Sequence, residues 1–461
     1  MTPMKNLTFV VFVCFTGALA GLLFGLDIGS VSGALPFVTK EFAIDADAEG
    51  WVVSVLMLGA AVGAVAGSRL CKELGRKISL MIAAALFVLG SALAAWAPQV
   101  SWLIAGRFVL GLAVGVASFT APLYLSEISP VRFRGGIISL YQLMITIGIL
   151  AAYLIDTALS SSGAWRWMFG IPGIPSALLL AAVIFLPRSP RWLAMQGRVD
   201  DARAVLTRLR ESPEEAAGEL TEIRESLSVR QEGWQLFKSN RNVRRVVGLG
   251  MLLQLMQQFT GINVIMYYAP KIFEEAGYAG IQQQMWGTVA VGLTNVLATF
   301  IAIGLVDRWG RRPILTLGYT VMALSMGLLG LMFHLGTDTA GARLFSVGVL
   351  LVFIIGFAMS AGPLVWVLCS EIQPLKSREF GIMCSTTTNW LANACIGYMF
   401  PPLLAWQGAA HTFWLFAALN ALFIWLTVRI TPETKGVSLE HLERNLMAGK
   451  PLRDLGGNTA A

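Results

Sequence analysis

The sequence predicts an all-α membrane protein, with twelve transmembrane helices in two pseudo-symmetric six-helix bundles and short intracellular helices between them. Three observations lead there. Of 461 residues, 56% are hydrophobic and 13% charged, about half the charge of a soluble domain. The apolar residues gather in blocks of about 20, long enough to cross a bilayer. The chain also repeats itself: Ser126-Glu127-Ile128-x-Pro130-x-x-x-Arg134 returns as Ser370-Glu371-Ile372-x-Pro374-x-x-x-Arg378, and Gly75-Arg76-Lys77 as Gly310-Arg311-Arg312. Two similar bundles leave a place for a solute between them and a natural motion around it.

The apolar blocks lie at roughly 8–33, 51–71, 78–97, 101–125, 136–157 and 165–186, then 244–270, 285–306, 313–335, 343–369, 380–403 and 411–430. The first follows a single lysine and has no small-residue cleavage site, so it is expected to stay as a span. The organisation that results is an N-terminal bundle over 1–186, an intracellular helical linker over 187–243, a C-terminal bundle over 244–430 and a cytoplasmic tail over 431–461. In the linker, leucines at helical spacing among charges suit short amphipathic helices beneath the membrane. They are either a latch between the halves or a plain solvated connection.

The net charge of +7 is a matter of topology. Sorted by loop, 29 Lys and Arg residues fall on one side, four on the other, and Arg107 lies inside a span. The positive-inside rule then places both termini in the cytoplasm and leaves no reason to invoke nucleic acid. Cys14, Cys71, Cys369, Cys384 and Cys395 show no metal-type spacing and suit packing. There is no phosphate-binding glycine loop and no nucleotide fingerprint. A carrier drawing on a gradient fits, with no enzyme activity, no metal and no cofactor beyond a coupling ion. Nothing in the sequence requires more than a monomer.

Two charges stand alone within spans. Asp27 is the only charged residue from Asn6 to Thr39, and Arg107 the only one from Ile78 to Ser126. Such groups are costly in a bilayer and mark function by default. An Asp that meets and leaves an Arg as the bundle rocks can load and release a proton; the plainer role is a static pair between spans 1 and 4. Arg107 does not titrate, so Asp27 is the candidate proton carrier.

The second half carries amides instead. Gln254, Gln257 and Gln258 share a helix face in span 7, followed by Asn263, Tyr267 and Tyr268. Gln142 lies in span 5, Asn295 in span 8, Trp366 in span 10, and Asn389, Trp390 and Asn393 in span 11. Amides both donate and accept, which suits a solute covered in hydroxyls, and an indole offers its face to a pyranose ring. Amides also join helices to one another in membranes. Gly261 and Gly362-Pro363 are expected to break spans 7 and 10 beside these residues, where a cavity or neighbouring protein satisfies the freed backbone.

Gly75-Arg76-Lys77, Glu127 with Arg134, Pro-x-Ser-Pro-Arg at 187–191, Gln257-Gln258-x-x-Gly261-x-Asn263, Asp307-Arg308-x-Gly310-Arg311-Arg312 and Pro432-Glu433-Thr434-Lys435-Gly436 together resemble the sugar porter family of the major facilitator superfamily. The match covers about residues 8–455. The resemblance implies the major facilitator fold, a bacterial inner membrane and import of an aldose of the galactose or glucose type with a proton. A pentose:proton symporter and a proton-independent facilitator are the alternatives. A sugar sensor needs a longer cytoplasmic extension than the 31 residues after position 430. By the same resemblance, Gln142, Gln257, Gln258, Asn263, Asn295, Trp366 and Asn393 contact the sugar and Trp390 lines the region. Asp27 couples the proton with Arg107 as its partner. Arg76, Glu127, Arg134, Arg311, Glu371 and Arg378 form cytoplasmic ion pairs that close the outward-facing state. Two positions depart from the pattern: Arg188 stands where the family usually has an acid, and Lys72 where the second half has Asp307. Both are expected to weaken the inner gate of the first half.

Overall fold

Hydrocarbon leaves an apolar chain two ways to satisfy its backbone, helix or closed barrel, and this one is helical. The computed structural model describes residues 7–129, 134–210, 212–227 and 233–457, and among these there is no strand. The first half holds α1 (Leu7–Phe42), α2 (Ala46–Glu73), α3 (Arg76–Ala95), α4 (Val100–Ile128) and α5 (Arg134–Ser160). Its sixth crossing is made by α6 (Trp165–Gly170) and α7 (Gly173–Ile184). The linker folds as α8 (Pro190–Met195), α9 (Val199–Leu209), α10 (Pro213–Leu227) and α11 (Gly233–Ser239). The second half holds α12 (Arg241–Phe259), α13 (Ile262–Glu275), α14 (Ile281–Trp309), α15 (Arg311–Leu335), α16 (Ala340–Ala358), α17 (Ala361–Glu371) and α18 (Arg378–Ile430). A short α19 (Leu439–Met447) follows.

Ten of these stretches are long and apolar enough to cross a membrane. Two more crossings bring the number among the described residues to twelve. The seventh is split into α12 and α13, and α18, at 53 residues, is two spans joined where Gly408 takes φ 76°. Span 10 breaks between α16 and α17, at Met359 and Ser360, just ahead of Gly362-Pro363. Pro363 therefore sits in the first turn of α17, where its missing N–H leaves no bond unmade.

Close helix contacts come from glycine at four-residue spacing. On α1, a Cβ at Gly21 would meet the Tyr141 carbonyl at 2.6 Å, one at Gly25 the Ile145 carbonyl at 2.0 Å, and one at Gly29 the Ala152 Cβ at 2.4 Å. On α2, Gly59 and Gly63 approach the carbonyls of Phe108 and Leu112 on α4 in the same way, both at 2.4 Å. Small residues let backbones touch where lipid supplies no hydrophobic drive for association. The two stripes fix α1 on α5 and α2 on α4, and so set where Asp27 and Arg107 stand.

The chain divides into two compact units. One comprises residues 1–30, 55–152 and 165–230; the other comprises 31–54, 153–164 and 231–461. The second unit thus includes the end of α1, the start of α2 and the last turns of α5. In the first, α8, α9 and α10 close on their own small core of Trp192, Leu193, Ala202, Leu206, Ala216 and Leu220. Arg210 ties this core to the membrane bundle: it pairs with Glu219 and donates to the Ile128 and Ser129 carbonyls at the C-terminus of α4. A cation there answers the orphan carbonyls and the helix dipole together. In the second unit, Trp234 and Phe237 of α11 pack at a tilt against Phe380 on α18.

Candidate functional site

Asp27 and Arg107 meet inside the first unit. Arg107 Nη1 lies 3.9 Å from Asp27 Oδ1, with both side chains almost wholly buried. Charge-assisted hydrogen bonds run at about 2.7–2.9 Å, so this contact is an ion pair about 1 Å short of closing. The guanidinium is steadied from one side by the Phe169 ring, 5.6 Å from its centroid. Gly106, beside Arg107, packs so tightly on α3 that a Cβ would lie 2.7 Å from the Ala94 nitrogen. The base is fixed by its helix, and the acid can gain or lose it by a small movement.

The amides assemble in the second unit. Asn389 Nδ2 donates to Gln254 Oε1 at 2.6 Å and to Gln257 Oε1 at 2.8 Å. Gln257 donates in turn to the carbonyls of Ala361 and Gly362, in the first turn of α17, at 2.8 and 3.1 Å. Gln258 donates to Gln257 at 3.4 Å and accepts from Asn263 across the span-7 break. Asn393 and the Tyr267 hydroxyl bond at 3.1–3.2 Å. Interhelical bonds of this kind are worth about 0.6 kcal/mol each on average in membranes. A solute's hydroxyls can therefore replace them one at a time at little cost.

Gly261 makes the break possible. Its φ of 94° is left-handed, where a side chain would be strained, and a Cβ would also crowd Phe416 at 3.2 Å. Asn420 on α18 donates to the Thr260 carbonyl at 3.0 Å, meeting one of the backbone groups that the break frees.

The repeated charge clusters fold alike. Arg76 pairs with Glu127 at 2.7 Å and Arg311 with Glu371 at 3.0 Å. Each carboxylate accepts a hydroxyl on its other oxygen at 2.5 Å, from Ser189 in one half and Thr434 in the other. The next basic residue bonds a carbonyl at the end of the sixth span of its half, Lys77 to Ile184 and Arg312 to Val428. Both turns use a glycine of positive φ, Gly75 at 85° and Gly310 at 93°.

Some sequence-predicted residues stand apart. Gln142 is exposed on α5 in the first unit. Asn295 and Trp390 are buried on α14 and α18, while Trp366 is 39% exposed on α17. Arg378 makes no ion pair among the described residues. Arg134, together with Asp307 as the counterpart of Lys72, lies outside the residues whose side chains are described. Arg188 lies over the Trp192 ring, 5.2 Å from its centroid.

Sequence reasoning passed over Asn420, and it gave Ser189 and Thr434 no role although both lie in the quoted motifs. It also missed Asp156, a buried carboxyl on α5 pressed against Gly33 of α1. The signal for Asp156 was present: it is the only charged residue between Arg134 and Arg166.

A family model described as sugar (and other) transporter matches residues 13–446. The galactose-proton symporter of Escherichia coli K12 is 64% identical over 454 residues, 98% of this chain and 97% of that one. The arabinose-proton symporter of the same strain is 57% identical over 448 residues, 96% of this chain and 95% of that one. Among solved structures, the partially occluded inward-open form of the xylose transporter XylE from E. coli superposes with a TM-score of 0.83. It has 28% identity and covers 93% of this chain and 99% of that one. XylE bound to 6-bromo-6-deoxy-D-glucose gives 0.79 at 29% identity, over 95% and 99%.

Proposed function

Since this chain belongs to the sugar transporter family, we propose that it imports an aldose, D-galactose before other sugars, together with one proton by alternating access. It works as a carrier in a bacterial inner membrane, with both termini cytoplasmic as the loop charges require, and it catalyses no reaction. The observation that carries the coupling is the ion pair of Asp27 and Arg107, buried and open at 3.9 Å.

The cycle follows from these residues. Sugar enters from outside with Asp27 protonated. Gln257, Gln258, Asn263, Asn389 and Asn393 exchange bonds among themselves for bonds to hydroxyls, joined by Gln142, Asn295, Trp366 and Trp390. The halves rock, Asp27 gives its proton to the cytoplasm, and Arg107 draws in the carboxylate so that the empty carrier returns. A potential of 100 mV contributes about 2.3 kcal/mol per charge moved. One proton therefore supports roughly fifty-fold accumulation from that term alone.

The test is purified protein in liposomes with an imposed pH gradient, alkaline inside. Labelled D-galactose should concentrate above the outside level and collapse to equality when the gradient is dissipated. Unlabelled D-galactose should compete better than D-xylose or L-arabinose. Entry that only equilibrates, with or without the gradient, would contradict proton coupling; stronger competition by a pentose would reassign the sugar.

A further inference from the structure

The isolation in sequence that marks Asp27 also marks Asp156, but their surroundings differ. Asp27 has the Arg107 guanidinium at 3.9 Å. Asp156, 1% exposed on α5, has no cation within ion-pair distance, and neither carboxyl oxygen has a hydrogen-bond partner among the described residues. Its Oδ2 lies instead against Gly33 of α1, where a Cβ would collide with it.

The polar groups around it are spent elsewhere. The Tyr153 hydroxyl donates to the Met266 carbonyl at 2.7 Å, Thr157 to the Tyr153 carbonyl at 2.7 Å and Ser160 to the Thr157 carbonyl at 2.8 Å. On α13, the Tyr267 hydroxyl bonds Asn393 at 3.2 Å. Lys271 of the same helix is held by both oxygens of Glu49, at 3.0 and 2.8 Å, with Glu274 and Glu275 next to it in sequence. Along α1 the nearest charges to Gly33 are Asp27 and Lys40, each about 9–10 Å away by helix rise. Ser32, beside Gly33, keeps a buried hydroxyl without a partner. All of these but Asp27 and Arg107 belong to the second unit.

We propose that Asp156 is a second proton-binding site, filled at every stage of the cycle: a carboxylic acid that keeps its proton and takes no part in coupling. A carboxylate here would give up its hydration and gain neither a cation nor a donor, whereas buried charges are kept where they are paired. The neutral acid gives up far less. It can donate its O–H to the Ser32 hydroxyl or a helix carbonyl and accept on the other oxygen, while a carboxylate could only accept. It thereby joins α1 to α5 where Gly33 brings them close. Asp27 differs because Arg107 stands ready to pair the charge that its proton leaves behind. The single coupled proton is then Asp27's alone. That last step rests on the transport reading, and the protonation of Asp156 does not.

The test is infrared spectroscopy of the full chain in liposomes, subtracting the Asp156→Asn variant from the parent. An amide has the shape of a protonated carboxyl and likewise donates and accepts, so this variant should fold and transport galactose within about twofold of the parent. Asp156→Ser is a second reference. The difference should contain the C=O band of a protonated carboxylic acid, equally strong at neutral pH and about two pH units above it, and unmoved by D-galactose. Carboxylate bands in its place, or an acid band that galactose removes, would overturn the proposal. In the same liposomes, the ratio of protons to galactose taken up should be unchanged by Asp156→Asn. A ratio that falls by about half would make Asp156 a coupling site and overturn it as well. The infrared band needs no transport, so it decides the protonation even if no sugar moves and the transport reading fails.

Discussion

The repeated charge clusters of the two halves are built on one plan and differ in charge where Arg188 in one corresponds to Glu433 in the other. Each joins an arginine, a glutamate and a hydroxyl beneath a glycine turn. In the second half Glu433 adds a carboxylate at the N-terminus of α15, accepting the backbone N–H groups of Arg311 and Arg312 at 3.0 Å each. In the first half the corresponding residue is Arg188, whose guanidinium lies over the Trp192 ring and which offers no carboxylate to the N-terminus of α3. A helix start has orphan N–H groups and a partial positive charge. Glu433 answers both and Arg188 answers neither. The core of a duplicated motif is thus kept where a buried charge must be paired, while its rim varies where water can stand in.

Breaking the shared core should have the largest effect. Glu127→Gln leaves Arg76 buried without its counter-charge and should destabilise the detergent-solubilised protein by about 3–5 kcal/mol. Glu371→Gln, in a wetter site, should cost less. Thermal unfolding of the two variants side by side checks the order, and equal losses would mean that the clusters are energetically alike despite their different burial. Next, Glu433→Gln removes the charge from two bonds at the α15 N-terminus and should cost about 1–2 kcal/mol by the same measurement. The smallest effect sharpens the comparison from the other side. Arg188→Glu restores an acid near α3 and should raise stability by about 0.5–1 kcal/mol; a loss would show that the Arg188–Trp192 contact outweighs the missing cap.

The spans were legible in the sequence because a bilayer imposes one length and one composition on each, so block length alone places them. Gly261 was legible as a break for the same reason, a backbone breaker among amides. The break in span 10 falls ahead of Gly362-Pro363 because Pro363 opens a helix more readily than it ends one. Asp27 and Arg107 stood out by isolation, and Asp156 met the same criterion unnoticed. The hydroxyls of Ser189 and Thr434, the Asn420 amide and the Glu49–Lys271 pair were not legible. Each acts on a group 62 to 222 positions away in the chain; it is the folded chain, not periodicity, that brings them together.

Proton coupling through Asp27 is the central claim, and external pH tests it most directly. D-galactose is added to lightly buffered, de-energised cells that express the protein. The account predicts a transient alkalinisation of the medium, lost in Asp27→Asn while labelled galactose still binds. Galactose entry without any pH change, or an Asp27→Asn variant that alkalinises as fully as the parent, would contradict it.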